Sequence, residues 1–377
     1  MGTPNIVYSK YVCPTPQNNI ETVQSYPELN WLRGFAAIAV MLFHYTVRYD
    51  QIFGHRGNWN VTVPWGGAMV VSFFILSGFL GILSSETSAK NYLKKRIIRL
   101  YPVYWICILC TVMVMKIAFP LYDQLPDSSI ALKDILLNLT MLQGILLQPS
   151  VDGAYWTLGI ELRFYLFYFL ILLFRKKESI RNYLFTWIFM SLLLELVAYL
   201  GLAGRQNGTL GIFVTLVMHL FVPHYSAAFT TGGFLALYSR EHKKQDIVGL
   251  VLSMFLATIT FREYKLFVYM ATVGFVFACV YARKNGNIWS KYSVRISAMD
   301  QHIFRPLTLV AAISYPLYLL HQHIGFAIIW HLENENYLRE WAIIIPISIV
   351  FVLAYAVQKL SNIFIYRVGG KKENVKK

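Results

Sequence analysis

Arg33 and His44 are the two residues whose types and spacing most directly indicate chemistry. Both lie in one apolar stretch, Leu29–Val47, which is long enough to cross a membrane. Their separation of eleven residues is three helical turns and a rise of about 16 Å, so they share one face at different depths. A snorkelling arginine or an interfacial histidine would explain either residue singly. Because ionisable groups in a bilayer are costly, the pair predicts a functional site with a guanidinium near one surface and an imidazole near the other.

A second basic pair, Arg96 and Arg99, lies where the apolar run Ile97–Phe119 begins. Residues three apart project from the same side of a helix, so the two guanidiniums converge. Each guanidinium can donate two parallel hydrogen bonds, which suits a phosphate-bearing ligand. The alternative is a stop-transfer cluster that contacts anionic lipid head groups.

A carboxylate, Glu161, lies six residues inside the apolar run that begins at Tyr155. Six residues correspond to about 9 Å of depth, which places Glu161 near the predicted level of His44. A carboxylate at that depth has to be paired or protonated. We expect Glu161 to orient a histidine, stabilise an imidazolium or contact a hydroxyl substrate. Arg163 is a poor partner, because residues two apart point to different faces of a helix.

Polar residues also mark one face of a later apolar run. Ser314 shares a helix face with Tyr318, and Tyr318 shares one with His321. Together with Ser77, they are candidates for contacting substrate or an oxyanion, and helix–helix hydrogen bonding is the alternative. His321 and His323 diverge on a helix, so we expect no metal site.

The elements that must position these residues are membrane helices. Hydrophobic residues make up 56% of the 377 positions and charged residues 14%, and the mean hydropathy is +0.49. This composition predicts an all-α polytopic membrane bundle. We expect a kink at Pro223 and a re-entrant or interfacial segment over Asp134–Gln148. The predicted spans are Leu29–Val47, Val63–Ser84, Ile97–Phe119, Tyr155–Phe174, Tyr183–Ala203, Leu210–Tyr238, Ile247–Thr260, Leu266–Ala282, Leu307–Trp330 and Trp341–Ile365, ten in all.

Basic residues between the spans predict how the chain is oriented. Lys and Arg favour one side by roughly three to one, which places both termini in the cytosol. The net charge of +15 is spread over short clusters between apolar runs, so we expect no nucleic-acid partner. The first span serves as the insertion signal, since the preceding residues lack the pattern of a cleavable signal peptide. We expect a cytosolic segment 1–28, a membrane domain 29–366 and a basic cytosolic tail 367–377.

Taken together, these segments resemble the membrane-bound acyltransferase 3 family, whose members acylate cell-surface polysaccharides and similar acceptors. They occur in the family's order, and each is weak alone. Thr157 stands where the family often has Ser, which keeps the hydroxyl. The middle spans contribute no recognisable motif. The matching stretches are Asn30–His44, Phe74–Phe79, Lys95–Pro102, Trp156–Glu161 and Ser314–His321.

The resemblance implies a multi-pass protein of a bacterial cytoplasmic membrane that uses acyl-CoA, usually acetyl-CoA, as donor substrate. The acceptor would be a hydroxyl of a cell-envelope glycan such as O-antigen, and no tightly bound cofactor is implied. By the same resemblance His44 is the catalytic base, Arg33 a donor-site residue, and Arg96 with Arg99 the ligands of the CoA phosphates. Direct transfer and an acyl-histidine intermediate both remain open.

Two other functions are compatible with intramembrane charges. A secondary transporter or flippase would use Arg33, Glu161 and His44 as substrate or proton-relay groups. Such a protein often contains inverted repeats, and we find no corresponding pair of Gly/Pro-interrupted segments. A non-catalytic membrane sensor or assembly partner would use the same charges structurally.

Overall fold

The computed structural model describes residues 26–54, 61–84, 88–118, 123, 125–126, 128–174, 180–201, 209–285, 292–293, 295, 298–299 and 302–369. Over these residues the chain is helical and forms no β-strand, as the all-α prediction requires. The helices are α1 Glu28–Phe43, α2 Tyr49–Phe53, α3 Val70–Leu83, α4 Ala89–Ala118, α5 Leu132–Asn138, α6 Trp156–Leu173, α7 Ile180–Tyr199, α8 Thr209–Phe221, α9 Pro223–Glu241, α10 Lys244–Thr260, α11 Glu263–Lys284, α12 Arg305–Asn334 and α13 Arg339–Gly369.

Seven helical segments in the described part of the chain are long and apolar enough to cross a membrane. Each of the ten predicted spans coincides with one or two of the helices. The number of crossings and the cytosolic position of both termini stay predictions. Most of the segment 1–28 and most of the tail 367–377 lie outside the described residues.

The α1 helix packs against α12, α3 and the 3₁₀ helix Pro64–Met69, and it continues without a loop into α2. The connection is a π-helical stretch, His44–Arg48. Two glycine contacts hold α1 close to its neighbours. A Cβ atom on Gly34 would lie 2.1 Å from the carbonyl oxygen of Leu307 in α12. A Cβ atom on Gly66, in the 3₁₀ helix Pro64–Met69, would lie 2.2 Å from a carbonyl oxygen of α1.

The α3 and α9 helices also cross at backbone distance. A Cβ atom on Gly78 would lie 2.3 Å from the Phe229 carbonyl oxygen, and one on Gly232 would lie 2.0 Å from the Ile75 carbonyl oxygen. Small residues at a helix crossing permit this approach, which is how membrane helices commonly associate.

The predicted kink at Pro223 is confirmed as a break between α8 and α9. Val222 adopts a left-handed conformation with φ of 48°, and Pro223 begins the next helix. Proline suits this first position because its missing N–H would have no helical partner there.

The predicted segment Asp134–Gln148 forms α5 followed by a non-helical hairpin, residues 139–149. The hairpin is held against α4 by side chains that donate to its backbone. The Tyr101 hydroxyl donates to the Thr140 carbonyl oxygen at 2.9 Å, and Trp105 Nε1 donates to the Leu139 carbonyl oxygen at 3.0 Å. Non-helical backbone at membrane depth needs such protein partners. Whether the segment is re-entrant or interfacial stays a prediction.

Behind the hairpin, α6 begins well below the far end of α4. The Tyr155 ring, just before α6, packs on the Tyr104 ring with centroids 5.2 Å apart. Tyr104 precedes the end of α4 at Ala118 by fourteen residues, or about 21 Å of helix. Along the bundle, α6 therefore starts about 21 Å short of the far end of α4, whereas counting residues from Tyr155 assumes that the two ends are level.

Candidate functional site

One cavity in the bundle collects most of the residues singled out by the sequence. Its empty space is about 740 Å³, a volume that includes open solvent at its mouth. The residues that line it come from α1, α3, α4, α6 and α12. They are Arg33, Val70, Phe73, Phe74, Leu76, Ser77, Leu80, Arg96, Arg99, Thr157, Leu158, Glu161, Tyr165, Ser314, Tyr315 and Tyr318.

The cavity carries a surplus of positive charge. Arg33, Arg96 and Arg99 all line it, and Glu161 is the one acid among its lining residues. Neither Arg33 nor Arg99 forms a hydrogen bond or ion pair within the described part of the chain. Arg33 is half-buried and Arg99 is exposed, and a guanidinium that is partly withdrawn from water, such as Arg33, needs an acceptor. The arrangement therefore favours an anionic ligand.

Arg96 is held in place before any ligand arrives. Its guanidinium carbon lies 4.6 Å from the centroid of the Tyr165 ring and 5.2 Å from that of Tyr92. Its Nη2 donates a 2.7 Å hydrogen bond to Ser84 Oγ. These cation–π contacts fix the plane of the group, so a ligand would lose little freedom in that side chain on binding.

Glu161 lies at this arginine-rich end, which differs from the expected level with His44. Its Oε1 accepts a 2.7 Å hydrogen bond from Ser77 Oγ and a second, short one from the Tyr165 hydroxyl. The hydrogen bond from Tyr165 to the carboxylate fixes the position of the ring on which Arg96 stacks. The other bond occupies the Ser77 hydroxyl proton, so in this conformation Ser77 does not offer that proton to an oxyanion.

The cavity extends along α3 from Leu80 to Val70, a rise of about 15 Å. His44 lies just past the Val70 end. The preceding residue, Phe43, packs so close to Gly67 that a Cβ atom there would lie 2.8 Å from its ring. Arg33 is thus inside the cavity and His44 is beyond its other end. This is the separation in depth that their spacing predicted.

His44 forms a pair with His321. Its Nδ1 lies 2.8 Å from the Val40 carbonyl oxygen and 3.1 Å from His321 Nε2. His321 Nδ1 in turn lies 2.7 Å from the Tyr318 carbonyl oxygen. Because carbonyl oxygens only accept, we assign the proton to Nδ1 in both rings. His321 Nε2 then accepts from His44, and Nε2 of His44 keeps a lone pair with no partner among the described residues.

The π-helical stretch starts at His44 itself. One extra residue per turn shifts the following side chains around the axis, and such insertions recur at functional sites. Sequence analysis missed this feature and the histidine pair. The apolar periodicity of the span gives no signal for a π turn, and no local pattern links residues 277 positions apart.

Tyr318 connects the histidine pair to the cavity. Its ring lies 5.4 Å from that of His321, and its hydroxyl oxygen lies 3.1 Å from Thr157 Oγ. Thr157 Oγ also lies 3.0 Å from the Ala154 carbonyl oxygen. When its single proton goes to Tyr318, the Tyr318 proton is available to a ligand; when it goes to Ala154, Tyr318 donates to Thr157. The Ser314 hydroxyl instead donates to the Ala311 carbonyl oxygen at 2.8 Å, so Tyr318 is the stronger candidate for stabilising an oxyanion.

A family model described as an acyltransferase domain, Acyl_transf_3, matches residues 26–357. The chain therefore belongs to the acyltransferase 3 family, and with its long apolar helices it is an integral membrane protein. It is also similar to a candidate acetyltransferase, ORF330, of Acidianus two-tailed virus. The two are 23% identical over 348 residues, which cover 88% of this chain and 90% of the viral protein. No solved structure matches the chain.

Proposed function

We propose that this membrane acyltransferase moves an acetyl group from cytosolic acetyl-CoA to a hydroxyl of a cell-envelope glycan such as O-antigen. We place it in a bacterial cytoplasmic membrane. The observation that carries the proposal is the layout of one cavity, with three arginines near one end and a histidine with a free ring nitrogen just past the other.

The donor would enter from the arginine end. Arg33, Arg96 and Arg99 are placed to hold the phosphates of CoA by charge-assisted hydrogen bonds. The pantetheine arm would follow the apolar wall of α3 toward Val70. This orientation brings the thioester to the end of the cavity nearest His44.

The acceptor would meet the thioester at that end. His44 Nε2 takes the proton from the acceptor hydroxyl while the hydroxyl oxygen attacks the thioester carbonyl carbon. The resulting tetrahedral oxyanion collapses, the carbon–sulfur bond breaks, and the proton passes from His44 to the departing CoA thiolate. In the acyl-histidine alternative, Nε2 attacks the carbonyl carbon first, the carbon–sulfur bond breaks and CoA departs as the thiolate. The acceptor hydroxyl then attacks the acyl-imidazole, the carbon–nitrogen bond breaks, and the hydroxyl proton passes to the thiolate.

Other residues of the site support this step. The Tyr318 hydroxyl is placed to donate to the oxyanion. His321 accepts from His44 Nδ1 and so orients the imidazole. Glu161, which we expected beside the histidine, acts in this scheme on the donor side by holding Ser77 and Tyr165.

The transporter, flippase and sensor alternatives gain no support from a specific observation. Family membership favours acyl transfer over all three. A transporter would still use the arginine cavity, so the distinguishing result is formation of a covalent product.

The test uses purified full-length protein in liposomes with acetyl-CoA labelled in its acetyl group. Cells that express the protein and cells that lack it supply envelope glycans for mass spectrometry. We expect label to enter a glycan fraction and the corresponding acetyl ester to disappear from the deficient cells. Identical glycans in both strains, together with no transfer in liposomes, would contradict the proposal. The Arg262→Gln variant, at an exposed turn between α10 and α11, serves as the fold control.

A further inference from the structure

Arg163 is a buried cation that the acyl-transfer scheme does not use. It is 6% exposed, and its Nε is buried without a hydrogen-bond partner. No ion pair with Arg163 occurs among the residues that the structure describes. It does not line the cavity, because it lies two residues from Glu161 and points to a different side of α6. An unpaired guanidinium at a membrane position is costly and needs a reason.

The guanidinium points at the hairpin of residues 139–149. A Cβ atom on Gly144 would lie 3.4 Å from Arg163 Nη2, and one on Gly159, a turn earlier in α6, would lie 3.7 Å from the Met141 carbonyl oxygen. Gln143, beside Gly144, has a buried Oε1 without a partner. Arg163 thus lies in a wedge between α4, α6 and the hairpin.

The wedge lies level with the arginine end of the bundle. The rings of Tyr155 and Tyr104 pair α6 with α4 at 5.2 Å, and those of Tyr168 and Tyr92 pair them again at 5.1 Å. The two pairs show that α4 and α6 run antiparallel. Arg163 follows Tyr155 by eight residues, so it lies level with the residue that precedes Tyr104 by eight. That residue is Arg96, next to the start of the apolar part of α4.

We expect lipid head groups at this level, because the apolar part of α4 begins next to Arg96. Trp105 is 46% exposed, and Leu146 and Leu147 of the hairpin are each 51% exposed. The outer surface of the wedge is therefore apolar and faces the lipid. Lys94 precedes Tyr101 by two helical turns, so it lies on the face of α4 that holds the hairpin, and it is exposed.

We propose that Arg163, with Lys94, binds the phosphate of a membrane lipid whose chains lie along the outer surface of α4 and the hairpin. A phosphate oxygen can accept hydrogen bonds from the Arg163 guanidinium. No described residue accepts one from it. The exposed side chains on the outer surface of the wedge are apolar, which favours a lipid, whose chains can pack there, over a soluble anion. The site is separate from the donor cavity and does not depend on acyl transfer.

Two lipids would supply the same chemistry: an anionic phospholipid of the surrounding leaflet or a polyprenyl phosphate that carries a glycan. The test is native mass spectrometry of full-length protein in detergent with phosphatidylglycerol, undecaprenyl phosphate or diacylglycerol. We expect both phosphate-bearing lipids to bind and diacylglycerol, which lacks the phosphate, not to bind. Tighter binding of undecaprenyl phosphate would identify a glycan carrier as the source, and tighter binding of phosphatidylglycerol would identify bulk lipid.

Arg163→Gln should weaken binding of the preferred lipid about tenfold or more, since a charge-assisted pair is lost. Arg163→Lys should weaken it less, and Arg262→Gln should leave it unchanged. Wild-type affinity in Arg163→Gln, or equal binding of diacylglycerol by the wild-type protein, would overturn the proposal. If Arg163→Gln cannot be purified, the exposed Lys94→Gln variant tests the proposal instead. Wild-type affinity of that variant for the preferred lipid would also overturn the proposal.

Discussion

The arginine cavity predicts how donor recognition responds to loss of one guanidinium. Arg99 lines the cavity and has no hydrogen-bond or ion-pair partner within the described ranges, so its replacement breaks no internal contact. Arg96 is a less clean choice, since it also stacks on two tyrosine rings and binds Ser84. A hydrogen bond to a charged group contributes about 1.5–3 kcal/mol. Arg99→Gln should therefore raise the dissociation constant for CoA by about 10- to 150-fold.

The assay compares acetyl-CoA with acetyl-pantetheine, which carries the same thioester but no phosphate. For the wild-type protein kcat/KM should strongly favour acetyl-CoA. In Arg99→Gln, and more so in the Arg96→Gln/Arg99→Gln double variant, that preference should shrink while activity with acetyl-pantetheine stays near the wild-type value. An unchanged preference in the double variant, with Arg262→Gln as control, would refute a phosphate site at these arginines.

Three further results follow from the geometry. Tyr318→Phe removes the hydroxyl at the cavity end that we propose as oxyanion donor, so kcat should fall by about 10²–10³ with little change in KM for the donor. Glu161→Gln keeps an oxygen acceptor for its two hydroxyl partners but removes a negative charge. CoA should then bind at least as tightly by calorimetry, and much weaker binding would show that the carboxylate itself contacts the donor. Gly232→Val would force a side chain into a backbone carbonyl 2.0 Å away. It should lower the melting temperature in detergent far more than Gly274→Ala, where nothing lies within 4 Å, and equal melting temperatures would contradict the close crossing.

Much of the helical framework could be predicted from the sequence, because each element carries a local signal. Apolar runs of about twenty residues mark the helices. The break at Pro223 follows from proline chemistry. The segment Asp134–Gln148 is too short for a span, and it forms α5 with its hairpin. Helical rise alone also predicts that Arg33 and His44 lie at different depths. In the structure Arg33 lines the cavity and His44 lies past its other end.

The depth of Glu161 could not be obtained in this way. Counting residues from Tyr155 assumes that α6 starts at the membrane surface. The Tyr155 ring instead packs on Tyr104, well inside the bundle. Only the packing of α4 against α6 determines that offset, and it moves Glu161 from the histidine level to the arginine level.

The roles of the hydroxyl residues also needed three-dimensional contacts. Ser77, Ser314 and Tyr318 were equivalent candidates by sequence. The structure separates them by the partner of each hydroxyl: Ser77 donates to Glu161, Ser314 donates to a backbone carbonyl, and Tyr318 contacts the Thr157 hydroxyl beside the cavity. The partner of His44 is likewise set by the packing of α12 against α1, because His321 is distant in sequence.

The most direct test of the account is the turnover of His44→Ala in purified protein with labelled acetyl-CoA and an envelope glycan acceptor. We expect kcat to fall by about 10²–10⁴, the usual contribution of a general base, while the affinity for CoA at the distant arginines stays at the wild-type value. The exposed His302→Ala variant controls for loss of a histidine elsewhere. Wild-type turnover in His44→Ala would contradict the central claim that this imidazole activates the acceptor at the end of the arginine cavity.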